Sequence, residues 1–402
     1  MNNYDIAIIG SGVAGAFAAL RLSEKHPDQK VILFDIGKIF FKRRRFLEGF
    51  LGCFPNGDGK LYTNNIDSVS ELTGIKKAKS SYNYVSSYLS QVNNMKLIKD
   101  TLPQSAFQKK VKELNFDIKT NDHYQWKPDS IHALTKIISE KLENWNNMTF
   151  SFDNEVYKII KKRGQFLISS ESGDVSAKKV ILCVGRSGWR WATELYKDLG
   201  ITVEDDYARI GIRCELSGSN AKELNKTHCT LIRDDLELGP FNWNGTVIPE
   251  DHADMVISTF RSNEERWKSE KVSFSLISPK LYKGQGVAQS ERLAKLTFLL
   301  FNDRVTKERV KMVMKNESQL SILPEFNWLP KTLELVESFM PNIISKGYFH
   351  IPEISPIPAK IDVSKELETE VEGLFVAGEC AGVRGILSAA VMGCIAADNA
   401  SK

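Results

Sequence analysis

Tyr4-Asp5-Ile6-Ala7-Ile8-Ile9-Gly10-Ser11-Gly12-Val13-Ala14-Gly15 is an apolar run that passes without a break into G-x-G-x-x-G. A helix-like stretch, Ala16 to Lys25, follows, and Val31-Ile32-Leu33-Phe34 then ends in Asp35, twenty residues after Gly15. Each part has a physical role. Gly10 permits a tight turn, Gly12 lets a pyrophosphate approach the backbone, and Gly15 lets helix and strand pack closely. The helix N-terminus offers unpaired N–H groups and a positive dipole end, so Ser11, Val13 and Ala14 are expected beside the phosphates with the glycines. Asp35 stands where a carboxylate accepts hydrogen bonds from adenosine ribose hydroxyls. The six-residue motif alone is common; strand, helix, second strand and acid in register make it a dinucleotide-binding β-α-β unit.

At 402 residues the chain is long for one core, which predicts two closely joined lobes. Hydrophobic residues at 42% and charged residues at 26% are ordinary for a soluble globular enzyme. A net charge of +4 makes no case for nucleic-acid binding, while a pI of 8.5 leaves room for an anionic substrate. The six cysteines, Cys53, Cys183, Cys214, Cys229, Cys380 and Cys394, show no C-x-x-C or metal spacing and read as reduced cytoplasmic thiols. No basic n-region precedes the first strand, so a signal peptide is not expected, and no apolar run approaches the roughly 20 residues of a membrane span.

Further along, residues from about 78 to 148 read as mainly helical, with helix-like spacing in Ser130 to Ile138. Glu155 to Ile160, Gln165 to Ser169 and Val175 to Ala177 then read as a three-stranded antiparallel meander. It leads into Lys179-Val180-Ile181-Leu182-Cys183-Val184-Gly185, a buried strand ending in glycine, and Gly373 to Glu379 is a late strand of the same lobe. The expected fold class is α/β: a Rossmann-like three-layer domain, parallel sheet plus antiparallel β-meander, with a second α+β substrate lobe. The dinucleotide domain is expected over 1–204 and 346–402, with the helical insertion about 78–148, and the substrate lobe over 205–345.

This order resembles the layout of flavoproteins with a glutathione-reductase-type FAD domain, which makes the dinucleotide FAD rather than NAD. More specific motifs resemble the uncharacterised FAD-dependent dehydrogenase family within that group. They are Asp58-Gly59-Lys60-Leu61, Val180 to Gly188 with Trp191, Leu199-Gly200-Ile201, Ile210 to Glu215, Ser355-Pro356-Ile357-Pro358, and Gly373 to Gly382 followed by Gly385 to Ala390. The chain departs from the family pattern in several places. Only Gly49 and Gly52 match the glycine-rich lead, Cys380, Val383 and Arg384 intrude in the late glycine-acid motif, and Pro352-Glu353-Ile354 replace an expected arginine.

The resemblance implies roles for individual residues. Val184, Gly185, Arg186 and Gly378 would line the cofactor, Glu379 would bond the ribityl chain or hold a water on the pyrophosphate, and Val156 would offer its backbone to the adenine. The helix opening near Gly385 and Ile386 would aim its N-terminus at flavin N1 and C2=O, favouring the anionic reduced ring. Asp58 would fix a turn that presents Lys60 to the ring or phosphates. Lys60, Arg384 and His228 are the catalytic candidates; a solvated turn, a surface arginine and a structural histidine are the plain alternatives. Cys380 reads as a buried inert thiol, and Trp189 and Trp191 as interface packing. The six histidines show no metal spacing, with His228 and His252 the acid–base candidates in the second lobe, so no metal is expected.

Lys42-Arg43-Arg44-Arg45 reads as a solvated loop, with phosphate or an anionic substrate as the alternative. Lys283 to Gln289 imitates a second dinucleotide loop, but Gln289 replaces the third glycine and Ser290 to Val313 reads as one long amphipathic helix. The function expected is hydride transfer between flavin and a small organic substrate, reducing or desaturating a C–C or C–N bond. NAD(P)H or a partner reductase is the expected electron source; neither a membrane nor nucleic acid is an expected partner. A flavin monooxygenase or oxidase using O2, an RNA- or nucleotide-modifying flavoprotein and a non-redox FAD-binding protein are the alternatives.

Overall fold

The computed structural model describes residues 2–402 apart from 41, 43–44, 64, 93–96, 100–101, 103–104, 121, 222–227, 235, 253–254, 263 and 356. Arg43 and Arg44 of the basic run and Pro356 of the Ser-Pro motif therefore lie outside the described residues, as does the side chain of His252. The chain forms two units: Met1–Leu97, His123–Asp205 and Ile357–Lys402 make the first, Ile98–Asp122 and Asp206–Pro356 the second. Residues 98–122 fall in the second unit because the strand Asp117–Thr120 pairs with Cys229–Arg233.

The first unit is built on a seven-stranded sheet. Its strands, numbered within the unit, are β1 (Asn2–Ile9), β2 (Val31–Asp35), β3 (Met148–Phe152), β4 (Val156–Lys162), β5 (Gln165–Ser170), β6 (Gly173–Leu182) and β7 (Leu374–Val376). They lie in the order β3-β2-β1-β6-β5-β4, with β7 also beside β6. The pairs β1–β2, β2–β3, β1–β6 and β6–β7 are parallel, and β4–β5 and β5–β6 are antiparallel. Val31 to Phe34 are buried throughout, as the continuous apolar run of a parallel strand covered on both faces requires.

Period-two alternation in β1 assigns the layers. Ile6 and Ile8 face helices α1 (Val13–Lys25), α2 (Pro128–Glu143) and α4 (Ile386–Ala400). Ala7 and Ile9 face the other way, toward the meander residues Ile159, Phe166 and Ile168 and helix α3 (Trp189–Asp198). The meander differs from the sequence expectation in one respect: Val175 to Ala177 and Lys179 to Leu182 are one strand. β6 opens antiparallel to β5, runs along β1 from Asn2↔Val175 to Ile9↔Leu182, and meets β7 at Leu182↔Val376. No glycine or proline interrupts Asp174 to Leu182, so nothing turns the chain there.

Small residues bring α1 and α4 into close contact. A Cβ on Gly393 would lie 2.1 Å from the Ala14 carbonyl oxygen. Cys394 Sγ lies 3.8 Å from the Phe17 oxygen, and Arg21 Nε and Nη2 reach Asp398 at 2.7 and 2.8 Å. These contacts advance together along both helices, so α1 and α4 run parallel with their N-termini at the same end.

The second unit holds an eight-stranded sheet centred on Tyr207–Ser217, which pairs antiparallel with Lys271–Leu281 and Tyr348–Ile354. Ile210, Ile212, Cys214 and Leu216 are buried on one face, while Arg213 and Glu215 occupy the other. Arg213 bonds Glu353 in bidentate fashion at 2.7 and 3.0 Å, and Ser275 and Ser258 hydroxyls donate to the same carboxylate at 2.6 and 2.5 Å. The expected long helix over Ser290 to Val313 is interrupted: it spans Gly286–Leu300, and Asn302 and Asp303, with φ of 61° and 55°, turn the chain into the strand Thr306–Arg309.

Glu215 is buried beside Lys307, Lys271 (Nζ–Oε1 3.3 Å) and His350 (Nε2–Oε2 3.5 Å). Burial pushes its carboxyl up, but hydrogen bonds from His350 and Lys307 and their charges outweigh that and hold it at about 2. A folded value below the ordinary 4.5 means that this stabilisation is complete above 4.5 and lost as pH falls toward 2. Glu215→Gln is therefore expected to flatten the decline of melting temperature across that window, measured by circular dichroism. An unchanged slope would assign the acid sensitivity to other carboxylates.

Candidate functional site: a dinucleotide cradle

The carboxyl ends of β1, β2, β6 and β7 share one edge of the first unit's sheet, because all four strands are parallel. The chain leaves β1 toward β2 on one side and receives β6 on the other, the reversal at which open α/β sheets bind ligands. Gly10 closes β1 with φ +96°, a conformation L side chains rarely adopt, and a Cβ there would meet the Cys183 oxygen at 2.6 Å. Gly12 is the N-cap of α1, and its missing side chain would approach nothing nearer than the Cys183 oxygen at 3.8 Å. Gly15, one turn into α1, would put a Cβ 1.9 Å from the Gly10 oxygen. Turn, open approach and tight packing thus fall on the three glycines in the order the motif implies. Val13 and Ala14 are buried in the first turn of α1.

Asp35 ends β2 and is 8% exposed. Its Oδ2 accepts from the Ser11 backbone N–H and hydroxyl, both at 2.7 Å. Its Oδ1 accepts from the N–H groups of Gly37 at 2.7 Å and Gly49 at 2.9 Å. Sequence reasoning missed the segment that follows Gly49. The Leu51 N–H donates to the Ser11 oxygen at 2.8 Å, and a Cβ on Gly52 would stand 3.4 Å from Gly12 Cα. The only signal for it was the isolated pair of glycines, Gly49 and Gly52.

The late motifs return to the same end of the unit. Gly378 and Glu379 open a short 3-10 turn, Gly378–Ala381, after β7, and Gly385 is the N-cap of α4, which begins at Ile386. A Cβ on Gly378 would lie 3.4 Å from Ala389 and 3.6 Å from Ala14, so the first turns of α1 and α4 flank this glycine. Val184, Gly185 and Arg186 follow β6, and Arg186 Nε stands 3.9 Å from Glu379 Oε1. Asp58 and Lys60 form a turn before the short strand Lys60–Tyr62, with Lys60 N–H to Asp58 Oδ1 at 3.3 Å and Nζ to Oδ2 at 3.1 Å.

The remaining candidates are placed as follows. Val156 opens β4 at the sheet edge, beside a β-bulge. Arg384 is exposed on the turn before α4. His228 lies in the second unit, buried, with Nε2 3.1 Å from Asn242 Oδ1. Cys380 is buried, its thiol pushed up to about 11 by burial, and Tyr196 donates to its carbonyl at 2.9 Å. Trp189 and Trp191 sit on α3, and the Trp191 indole donates to the Tyr157 oxygen at 3.3 Å. In the Lys283 to Gln289 imitation, Gly286 is a packing glycine whose Cβ would meet the Tyr207 backbone at 2.6 Å.

The first unit has an α/β fold of Rossmann type. Residues 342–402 match the family described as Glucose inhibited division protein A, a stretch that takes in β7, the Gly378–Ala381 turn and α4. No curated protein matches the chain. Among solved structures, glycine oxidase from Geobacillus kaustophilus is similar at 14% identity and TM-score 0.42, over 100% of this chain and 95% of that one. The p-nitrophenol 4-monooxygenase PnpA from Pseudomonas putida DLL-E4 aligns at 8% identity and TM-score 0.41, over 99% and 78%. CtdE in complex with FAD aligns at 12% identity and TM-score 0.40, over 98% and 82%. Identities this low, with TM-scores below 0.5, assign no activity to this chain. Among the described residues no helix is long and apolar enough to cross a membrane, and no three His, Cys, Asp or Glu gather as metal ligands.

Proposed function

We propose that this protein is an FAD-dependent oxidoreductase that passes a hydride between its flavin and a small organic substrate, reducing or desaturating a C–C or C–N bond. The observation that carries this reading is the parallel pair α1 and α4, whose N-termini stand at one edge of a parallel sheet beside the open approach at Gly12. One helix N-terminus suffices for a pyrophosphate. A second, reached through β7 and the Gly378–Ala381 turn, suits a longer cofactor with another electron-rich group. The family match to residues 342–402 falls on that returning segment.

When bound, FAD supplies the two-electron chemistry. The chain's residues hold and tune it. Backbone N–H groups from Ser11 to Gly15 would take the pyrophosphate, with Val184 to Arg186 and Gly378 beside it. Glu379 would bond the ribityl chain, and the N–H groups at Gly385 and Ile386 would favour negative charge on the ring. Lys60, held by Asp58, adds a positive charge on its turn. The second unit is proposed to select the substrate, and NAD(P)H or a partner reductase to supply electrons.

The test is an anaerobic visible spectrum of the purified protein before and after NADH or NADPH. A flavin band that bleaches is expected of a pyridine-nucleotide-driven enzyme, and admitting air then separates reductase from monooxygenase or oxidase. A band that ignores both nucleotides points to a partner reductase or a substrate dehydrogenase. A protein without flavin after reconstitution would overturn the proposal.

A further inference from the structure

The acid at the end of β2 is, by motif, a ribose ligand. Its surroundings argue otherwise. A carboxylate offers about four in-plane lone-pair positions, and Asp35 has four protein donors on them: Ser11 N–H and hydroxyl at 2.7 Å, Gly37 N–H at 2.7 Å and Gly49 N–H at 2.9 Å. These donors come from three separate stretches of chain. Ser11 belongs to the phosphate loop, Gly37 to the exit of β2, and Gly49 to the segment that returns over that loop.

The return is tight. A Cβ on Gly37 would stand 2.3 Å from the Gly49 nitrogen, so the ends of the 37–49 loop touch backbone to backbone. Two residues later the Leu51 N–H donates to the Ser11 oxygen, and Gly52 packs on Gly12. The Asp35 carboxylate thus stands at the junction of the two backbone segments that flank Gly12.

Resting on the FAD reading above, we propose that Asp35 is a positioning residue that staples the 49–52 segment onto the Ser11–Gly12 loop, forming a second wall of the phosphate cradle, and that it is not the ribose ligand. The ribose hydroxyls then find no acceptor on this carboxylate. Its role is exerted through the backbone N–H groups it orients.

Asp35→Asn and Ser11→Ala separate the two roles. An asparagine amide keeps one acceptor oxygen and turns its NH2 against two N–H donors. As a staple, Asp35→Asn is expected to lower the melting temperature of the FAD-free protein by about 5 °C or more, because hydrogen bonds to a charged group are lost. Ser11→Ala removes one donor and is expected to lower it less while still weakening FAD binding several-fold. A ribose ligand predicts the reverse for Ser11→Ala, since a carboxylate freed of a donor binds ribose at least as well. FAD analogues with 2′-deoxy- or 3′-deoxyadenosine supply the second readout, titrated against wild type and both variants. The staple predicts that each variant loses affinity for FAD and for the analogues by the same factor. The proposal falls if wild type prefers FAD over an analogue tenfold or more and Asp35→Asn erases that preference. It falls equally if Asp35→Asn leaves the melting of the FAD-free protein unchanged. Should the wild type bind no flavin, the FAD reading fails, whereas the melting comparison still decides the staple.

Discussion

Gly15→Ala is expected to leave no stably folded first unit. The added Cβ would lie 1.9 Å from the Gly10 oxygen, 3.0 Å from its carbonyl carbon and 3.2 Å from Ile8 Cγ2. The first two are backbone atoms of the turn that joins β1 to α1, so no rotamer change relieves the overlap. Relief requires α1 to move off the sheet by more than 1 Å, taking Ala14 with it. Ala14 cannot follow freely, because its oxygen abuts Gly393 on α4, where a methyl group would also collide, at 2.1 Å. Interiors packed at crystal density do not absorb such a shift. The expected loss is about 4 kcal/mol or more, in the range reserved for overpacked cores and strained backbone. Urea unfolding of Gly15→Ala would measure it, and a loss below about 1 kcal/mol would mean that the turn is looser than described.

Gly12→Ala is the control. Its Cβ would meet only the Cys183 oxygen at 3.8 Å, an ordinary contact. On the FAD reading proposed above, the variant should fold like the wild type and lose cofactor, since the added methyl group would stand where the pyrophosphate is expected to approach. The spacing of a glycine motif marks all three positions alike; only the atoms opposite each one distinguish a packing glycine from a binding glycine.

The same limit governs what else was legible. Period-two alternation and continuous apolar runs placed β1, β2 and the strand through Leu182, because those patterns express burial directly. The break at Asn302 and Asp303 carries no sequence signal, because either residue is also acceptable on a polar helix face, and only the left-handed backbone there reveals the turn. Asp35 was found by spacing, but its four donors come from Ser11, Gly37 and Gly49, and no local pattern announces such a convergence. His228 was singled out as an acid–base candidate by residue type alone, and it is buried against Asn242. Residue type names what a side chain can do; burial and partners decide what it does.

Glu353 gives the second large effect. The sequence shows only that Pro352-Glu353-Ile354 stand where the resemblance expects an arginine. In the fold this carboxylate accepts two guanidinium bonds from Arg213 and two hydroxyl bonds, with side-chain exposures of 11% for Arg213 and 5% for Glu353. Glu353→Ala removes the anion and leaves the Arg213 guanidinium buried. Glu215 lies on the same face two residues along the strand, but its carboxylate is already engaged by Lys307 and Lys271. Breaking a buried pair from one side costs about 3–5 kcal/mol, whereas replacing both partners by apolar groups of similar volume is often nearly neutral. Glu353→Ala is therefore expected to destabilise the second unit by about that amount, and Arg213→Met with Glu353→Leu to recover most of it. Denaturant unfolding of Arg213→Met, Glu353→Leu and the double variant closes the cycle, with Glu353→Ala measured beside them. Equal losses in Glu353→Ala and the double variant would mean that the pair is worth more than its desolvation, and that the charge network itself, rather than relief of a stranded cation, holds this sheet together.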